Sequence, residues 1–198
     1  MEELIHADVA ASAVQGACDE MGLFRRNTRE DVDVDSFLAN LGRLDAVRRS
    51  GLMGLPRSRS LDELARDAAT HFHTSMAFMS ILDDRRIFHA ASSGGEFDDE
   101  REDAAEASFC QYVVALDDVL VVNDSLTDDL VRDHPATKAG LVRAYLGVPV
   151  RSNGHTLGSF CVVDEQAREW TADDIYALRD FADAAMRSPG VTSAAQQF

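Results

Sequence analysis

The side chains with the most chemical potential in this sequence are its cysteines and histidines. Cys18, Cys110 and Cys161 are odd in number and widely spaced. That pattern fits free thiols in a reducing compartment better than a disulfide framework. No Cys-x-x-Cys pair exists, so no zinc knuckle or other metal site is expected. Cys110 follows Ser108-Phe109, where a helix should open, and a helix dipole there would favour a thiolate. The plainer reading is a small buried hydrophobe. Cys161 alternates with Phe160 and Val162 and shares one strand face with Ser159 and Val163, a face that is open to either role, pocket or core. His71 and His73 flank Phe72 at a helix end, too far apart around the helix to share a metal. His89 sits in a strand, facing pocket or solvent, and His134 and His155 fall in turns. No Ser-His-Asp or Cys-His arrangement is legible. Gly94-Gly95, set among acids, is a poor phosphate cradle, and no Walker-type loop or dinucleotide fingerprint is present. The residues point to binding or thiol chemistry, and the chain is expected not to be an enzyme.

These groups need a scaffold, and 198 residues with 45% hydrophobic content suffice for one packed domain with extensions. A formal net charge of -16 repels phosphate backbones and anionic lipid, so neither nucleic acid nor membrane is expected as a partner. No apolar run has the length of a membrane span, and Met1-Glu2-Glu3 lacks the basic start of a signal peptide; a cytoplasmic location is expected.

The positioning elements follow from periodicity. Val14, Ala17, Cys18 and Met21 mark a first helix from about Ala7, and the charged stretch from Arg25 to Asp35 reads as a linker. A second helix starts near Asp35 or Ser36 with Phe37, Leu38, Leu41, Leu44 and Val47 as its buried stripe. Ser60 and Glu63 form a capping-box pattern for a third, with Leu61, Leu64, Ala65, Ala68 and Phe72 inside. Met76 to Leu82 and Arg86 to Ala91 read as a hairpin around Asp83-Asp84. Glu96 to Glu106 is dense in acids without periodicity and reads as a solvated loop. Ser108 is expected to cap a short helix through Ala115, and Val119 to Val122 is a strand. Leu126 to Leu141, with His134-Pro135, reads as a loop with one short helix. Asn153-Gly154 predicts a second hairpin between Tyr145–Val150 and Leu157–Val163. Thr171 and Asp174 cap a last helix burying Leu178, Phe181, Ala182 and Ala185, and 188–198 is expected to be a flexible tail. Five strands spaced this way suggest an antiparallel sheet with helices segregated around it.

Four strings in this order sharpen the assignment: Ser108-Phe109-Cys110; Leu120-Val121-Val122-Asn123-Asp124; Tyr145-Leu146-Gly147-Val148-Pro149-Val150; and Gly158-Ser159-Phe160-Cys161-Val162-Val163-Asp164. Together they resemble the bacterial GAF domain, and the lead-in from Arg43 to Leu52 resembles the short helix preceding such domains in sensor proteins. The resemblance implies an α+β fold: a central antiparallel sheet of about six strands with flanking helices and a ligand pocket on one face. The expected division is an N-terminal helical extension over 1–55, the GAF domain over 56–187, and the tail. Phe109-Cys110-Gln111-Tyr112 lacks the histidine that related domains carry in Phe-Cys-x-His. Phe160 to Asp164-Glu165 matches one part of the cyclic-nucleotide pattern, while the Asn-Lys part has no convincing match.

By this resemblance the ligand-binding residues are His89, Phe109, Cys110, Tyr112, Asp124, Tyr145 and Cys161, between the sheet and the helix beginning at Ser108. They offer stacking surface, an imidazole able to titrate near neutrality, and a carboxylate that favours a neutral or cationic ligand. The ligand and any cofactor are unspecified. The leading expectation is a stand-alone sensor of a small molecule or of redox state, acting through a partner protein. The alternatives are a ligand-free interaction module and, last, an enzyme like the GAF-type free methionine sulfoxide reductases, whose cysteine set the spacing of Cys110 and Cys161 does not reproduce. A homodimer is expected through Phe37–Val47 and Leu178–Met186.

Overall fold

The computed structural model of the protein describes residues 32–94 and 101–195; the helix expected from Ala7 to Met21, with Cys18, lies outside them. Six strands form one antiparallel sheet in the order β3-β2-β1-β6-β5-β4. They are β1 (Met76–Leu82), β2 (Arg86–Ser92), β3 (Glu102–Ala104), β4 (Leu120–Val122), β5 (Ala144–Ser152) and β6 (His155–Asp164). This is the α+β fold expected from the sequence. Asn153 and Gly154 both take positive φ, 51° and 78°, and close the β5–β6 hairpin. Asp83 closes the β1–β2 hairpin, its Oδ1 accepting the amides of Arg85 at 2.8 Å and Arg86 at 2.6 Å. A bulge between Met79 and Ser80 shifts the register of β1 against β2.

One strand falls where a solvated loop was expected. Glu102–Ala104 is a short exposed edge strand, and Arg86 bonds Glu102 at 3.1 Å across the pair. Acidic residues are poor strand formers, but a short charged edge is where a sheet tolerates them.

Strand alternation gives the sheet two buried faces, each closed by helices. On the first lie α2 (Leu41–Ser50), α3 (Arg59–Phe72), α6 (Ala172–Met186) and α7 (Pro189–Ala195), packed on Met79, Ile81, Leu146, Val148, Phe160 and Val162. On the second lie α1 (Val34–Leu38), α4 (Cys110–Leu116) and the segment holding α5 (Pro135–Lys138), against Phe78, Leu82, Ile87, Tyr145, Cys161 and Val163.

Local signals decide the helix ends, and three differ from expectation. The single helix expected from Asp35 to Val47 is split at Asn40, whose side chain accepts the Arg43 amide at 3.0 Å and caps α2. The break turns the expected stripe: Leu38 and Val47 are buried, while Phe37 and Leu41 are 49% and 82% exposed. The Ser60–Glu63 capping box does not form. Helix α3 begins at Arg59, Ser58 occupies the cap position, and Glu63 bonds Arg59 at 2.9 Å. The segment 188–198, expected to be loose, carries α7, with proline at its first position and Val191 buried in the first face. The Thr171–Asp174 capping box is present, its amide-to-side-chain bonds measuring 2.8 and 3.2 Å.

Three arginines lock loops to the sheet through carbonyl oxygens. Arg43, buried, donates to the carbonyls of Leu82 and Leu38 at 2.7 Å and of Asp83 at 3.1 Å. Arg101 donates to the carbonyls of His89 and Leu55 at 3.0 Å and of Ala90 at 3.3 Å, its guanidinium lying over Phe88. Arg168 joins the Phe72 carbonyl at 2.8 Å to the Asp164 carboxylate at 2.5 Å. Among the described residues no helix is long and apolar enough to cross a membrane.

Candidate functional site

The second face of the sheet carries polar groups that apolar packing does not require. Ser80 pairs with Ser159 of β6 on one side and with His89 of β2 on the other, so a row of three polar side chains crosses the middle strands. The Ser80 hydroxyl lies 2.9 Å from His89 Nδ1. Both serines are fully buried. The Ser159 hydroxyl makes no hydrogen bond of ordinary geometry, although it lies close enough to both thiols and the Tyr145 phenol to act on them. A buried hydroxyl without a good partner costs about 1–3 kcal/mol.

Beside this row the two cysteines meet. The first turn of α4 points Cys110 at β6, and its Sγ stands 3.9 Å from that of Cys161. The Tyr145 hydroxyl donates to the Cys110 sulfur at 3.4 Å. The Tyr145 ring folds over Gly147, where a side chain would overlap its hydroxyl. The hydrogen bond from Cys161, helped by Ser108, Ser159 and Tyr145, draws the Cys110 thiol down to about 6 against the opposing effect of burial. Cys161 and Tyr145 move the opposite way, well up, the first mainly by its bond to Cys110 and the second mainly by burial. Of the two thiols, Cys110 is therefore the more acidic member. Both sulfurs are buried, so this thiol is not the open helix-start group its position suggested.

Of the seven residues expected to bind a ligand, Phe109, Cys110, Tyr145 and Cys161 come together under α4. Phe109 meets Tyr145 edge-on at 5.6 Å between ring centres, and both are 2% exposed, so the space between sheet and helix is filled. Tyr112 belongs to the same apolar cluster but reaches the α1 side, where with Gln111 and Val32–Asp35 it lines a hollow of about 270 Å³. His89 joins through Ser80 and packs on Phe78 at 5.0 Å. Burial holds its imidazole at about 4, and it does not titrate near neutrality. Asp124 is held elsewhere: its carboxylate takes Arg143 at 2.5 and 2.8 Å and the Leu126 amide at 3.0 Å.

Other members of the site were not singled out in the sequence. Ser80 and Ser159 are polar residues inside apolar strands, with the same parity as Phe78 and Cys161, and that parity was the available signal. His134, in the turn expected for it, is buried; it caps α5 by accepting the Ala136 amide at 3.1 Å, lies 3.1 Å from Gln111, and sits against Phe109. Asp164, part of the partial cyclic-nucleotide match, is occupied by Arg168.

The comparisons with known proteins agree with this fold. The model of the GAF domain family matches residues 56–188. The chain belongs to the GAF domain family. Over 139 residues it is 33% identical to a cyclic di-GMP phosphodiesterase of Pseudomonas aeruginosa; the match covers 69% of this chain and only 23% of that protein. The GAF domain of an Acinetobacter phosphoenolpyruvate-protein phosphotransferase superposes with a TM-score of 0.55 at 17% identity, covering 77% of this chain and 94% of that one. A free methionine-R-sulfoxide reductase from Neisseria meningitidis, solved with its substrate, gives 0.55 at 18%, covering 85% and 90%. At these identities the structural likenesses establish the fold of this GAF domain and nothing finer.

Proposed function

We propose that this GAF domain is a regulatory sensor: it responds to a small neutral molecule on the second face of the sheet and acts through a partner protein, without catalytic turnover of its own. The observation that carries the reading is the polar row Ser159–Ser80–His89, placed with the Tyr145 phenol and two thiols inside an otherwise apolar face. Such a row weakens the core, and a ligand with matching donors and acceptors would recover the loss. The hydroxyls, the phenol and a neutral imidazole suit an uncharged polar ligand. With Asp124 paired to Arg143, the argument for a cation loses its anchor. Entry requires α4 to swing away from Tyr145, and α4 packs on α1, so occupancy has a route to the N-terminal side. The relative among cyclic di-GMP phosphodiesterases is consistent with a regulatory role beside another activity.

Native mass spectrometry of protein purified without additives, followed by thermal shift across a panel of uncharged metabolites, tests this. A retained mass or a raised Tm that Ser159→Ala and His89→Ala diminish is expected. The second reading, a ligand-free interaction module, is favoured by the closure of the face by Phe109 and Tyr145. No bound mass and no shift across the panel would select it. Turnover of free methionine sulfoxide with a thiol reductant would overturn both.

A further inference from the structure

We propose that Cys110 and Cys161 form a two-electron redox site that closes to an internal disulfide when the protein meets a small neutral peroxide. The sulfurs already face each other at 3.9 Å across the α4–β6 contact, and a disulfide needs about 2.05 Å. The difference is small enough for side-chain rotation and a modest shift of one element. The mobile partner is α4, since Cys161 lies in a strand paired on both sides, to Phe78 of β1 and Gly147 of β5. Helix α4 is only seven residues long and is entered through the short 3-10 turn Ala105–Ala107.

The chemistry uses groups that are in place. The Cys110 thiolate attacks one oxygen of hydrogen peroxide, the O–O bond breaks, and the departing hydroxide takes a proton to leave as water, giving a sulfenic acid. The Cys161 thiol then attacks that sulfur; the S–S bond forms, the S–O bond breaks, and the Cys161 proton leaves with the hydroxide as a second water. The two sulfurs are oxidised together by two electrons and the peroxide is reduced by two. Tyr145, already donating to the Cys110 sulfur, stabilises the thiolate that starts the sequence. Burial of both thiols sets the selectivity, since a molecule the size of peroxide can reach a site that bulkier disulfides and alkylating agents cannot.

Closure also changes the surroundings. With its sulfur bonded to Cys161, Cys110 is a poorer acceptor, and the buried Tyr145 hydroxyl loses its partner. The shift is carried by α4 to Gln111 and Tyr112, which border Val32–Asp35 across the hollow on the α1 side. For this consequence alone the inference rests on the sensory reading; the thiol chemistry does not need it.

The test uses the full chain and its Cys18→Ser variant. After peroxide, intact mass should fall by two hydrogen atoms in both. Free thiols titrated in denaturant should fall from three to one in the full chain and from two to none in the variant. Peptide mapping should find Cys110 joined to Cys161, with dithiothreitol restoring the mass. In Cys18→Ser/Cys161→Ser the Cys110 sulfenic acid should persist and be trapped by dimedone once the peroxide is removed and the protein is unfolded in denaturant. Hydrogen exchange should change over 108–116 and 32–38. Mass gains of one to three oxygens on Cys110 without a cross-link, a bridge to Cys18, or unchanged thiols in millimolar peroxide would each overturn the proposal. A negative metabolite panel would leave this result untouched, so the two readings fail separately.

Discussion

The Ser80 hydroxyl stands 2.9 Å from Nδ1 of His89, so this mostly buried imidazole is held by a neutral partner rather than a carboxylate. Burial holds it at about 4, against an ordinary 6.5. Between those values the unfolded chain binds more protons than the folded one, so the neutral histidine's contribution is complete above 6.5 and is lost as pH falls toward 4. The Tm of wild type should therefore drop more steeply across this window than that of His89→Gln. Calorimetry at matched pH values checks this. Carboxylates common to both proteins cancel in the difference, and a difference constant with pH would show that His89 does not carry the effect.

Gly147 exists to admit the Tyr145 ring. A methyl added there would overlap the hydroxyl and lie 2.6–2.7 Å from ring carbons, closer than atoms can stand. Gly147→Ala should cost about 1–3 kcal/mol of overpacking. The same change made in Tyr145→Ala should cost much less. Urea denaturation of the four proteins gives the coupling; equal costs in the two backgrounds would remove the close approach as the cause.

The homodimer expected from the sequence finds less unspent apolar surface than the pattern implied. Leu178, Ala182 and Ala185 are consumed by the domain's own sheet, while Leu41 and Phe37 stay exposed on α2 and α1. We expect a dimer whose interface includes Leu41, and Leu41→Asp should raise its dissociation constant at least tenfold with little change in Tm. Light scattering at micromolar concentration decides; a monomeric wild type ends the proposal.

How far the sequence reached depends on how local each determinant was. Asn153-Gly154 and Thr171 with Asp174 carry their geometry within a few residues, and both appear as expected. Asn40 is just as local, but the apolar spacing from Phe37 to Val47 runs through it and hides the break. The six-stranded sheet followed from the family resemblance, whereas β3 was invisible to residue pattern because its strand is made by pairing with Arg86–Phe88, not by its own propensities. In the candidate site, Phe109, Cys110, Tyr145 and Cys161 were legible because their strings belong to the family. Of the row Ser159–Ser80–His89, His89 was a candidate and Ser159 was placed on the Cys161 face, whereas Ser80 was passed over because it reads as one small polar residue inside the apolar run Met76–Leu82. Asp124 was misplaced because its partner Arg143, 19 residues on, is set by the β4–β5 pairing.

The three arginine locks have a consequence for how this acidic chain meets salt. Most of their bonds end on carbonyl dipoles inside the fold, where mobile ions have little access, while the formal charge of -16 acts through solvent over distances that salt shortens to roughly 8 Å at physiological strength. Raising ionic strength thus quiets the repulsion among surface acids and leaves the internal fastenings of Arg43 and Arg101 almost untouched. The molecule should tighten in concentrated neutral salt, with a Tm that climbs where a protein held by exposed ion pairs would soften.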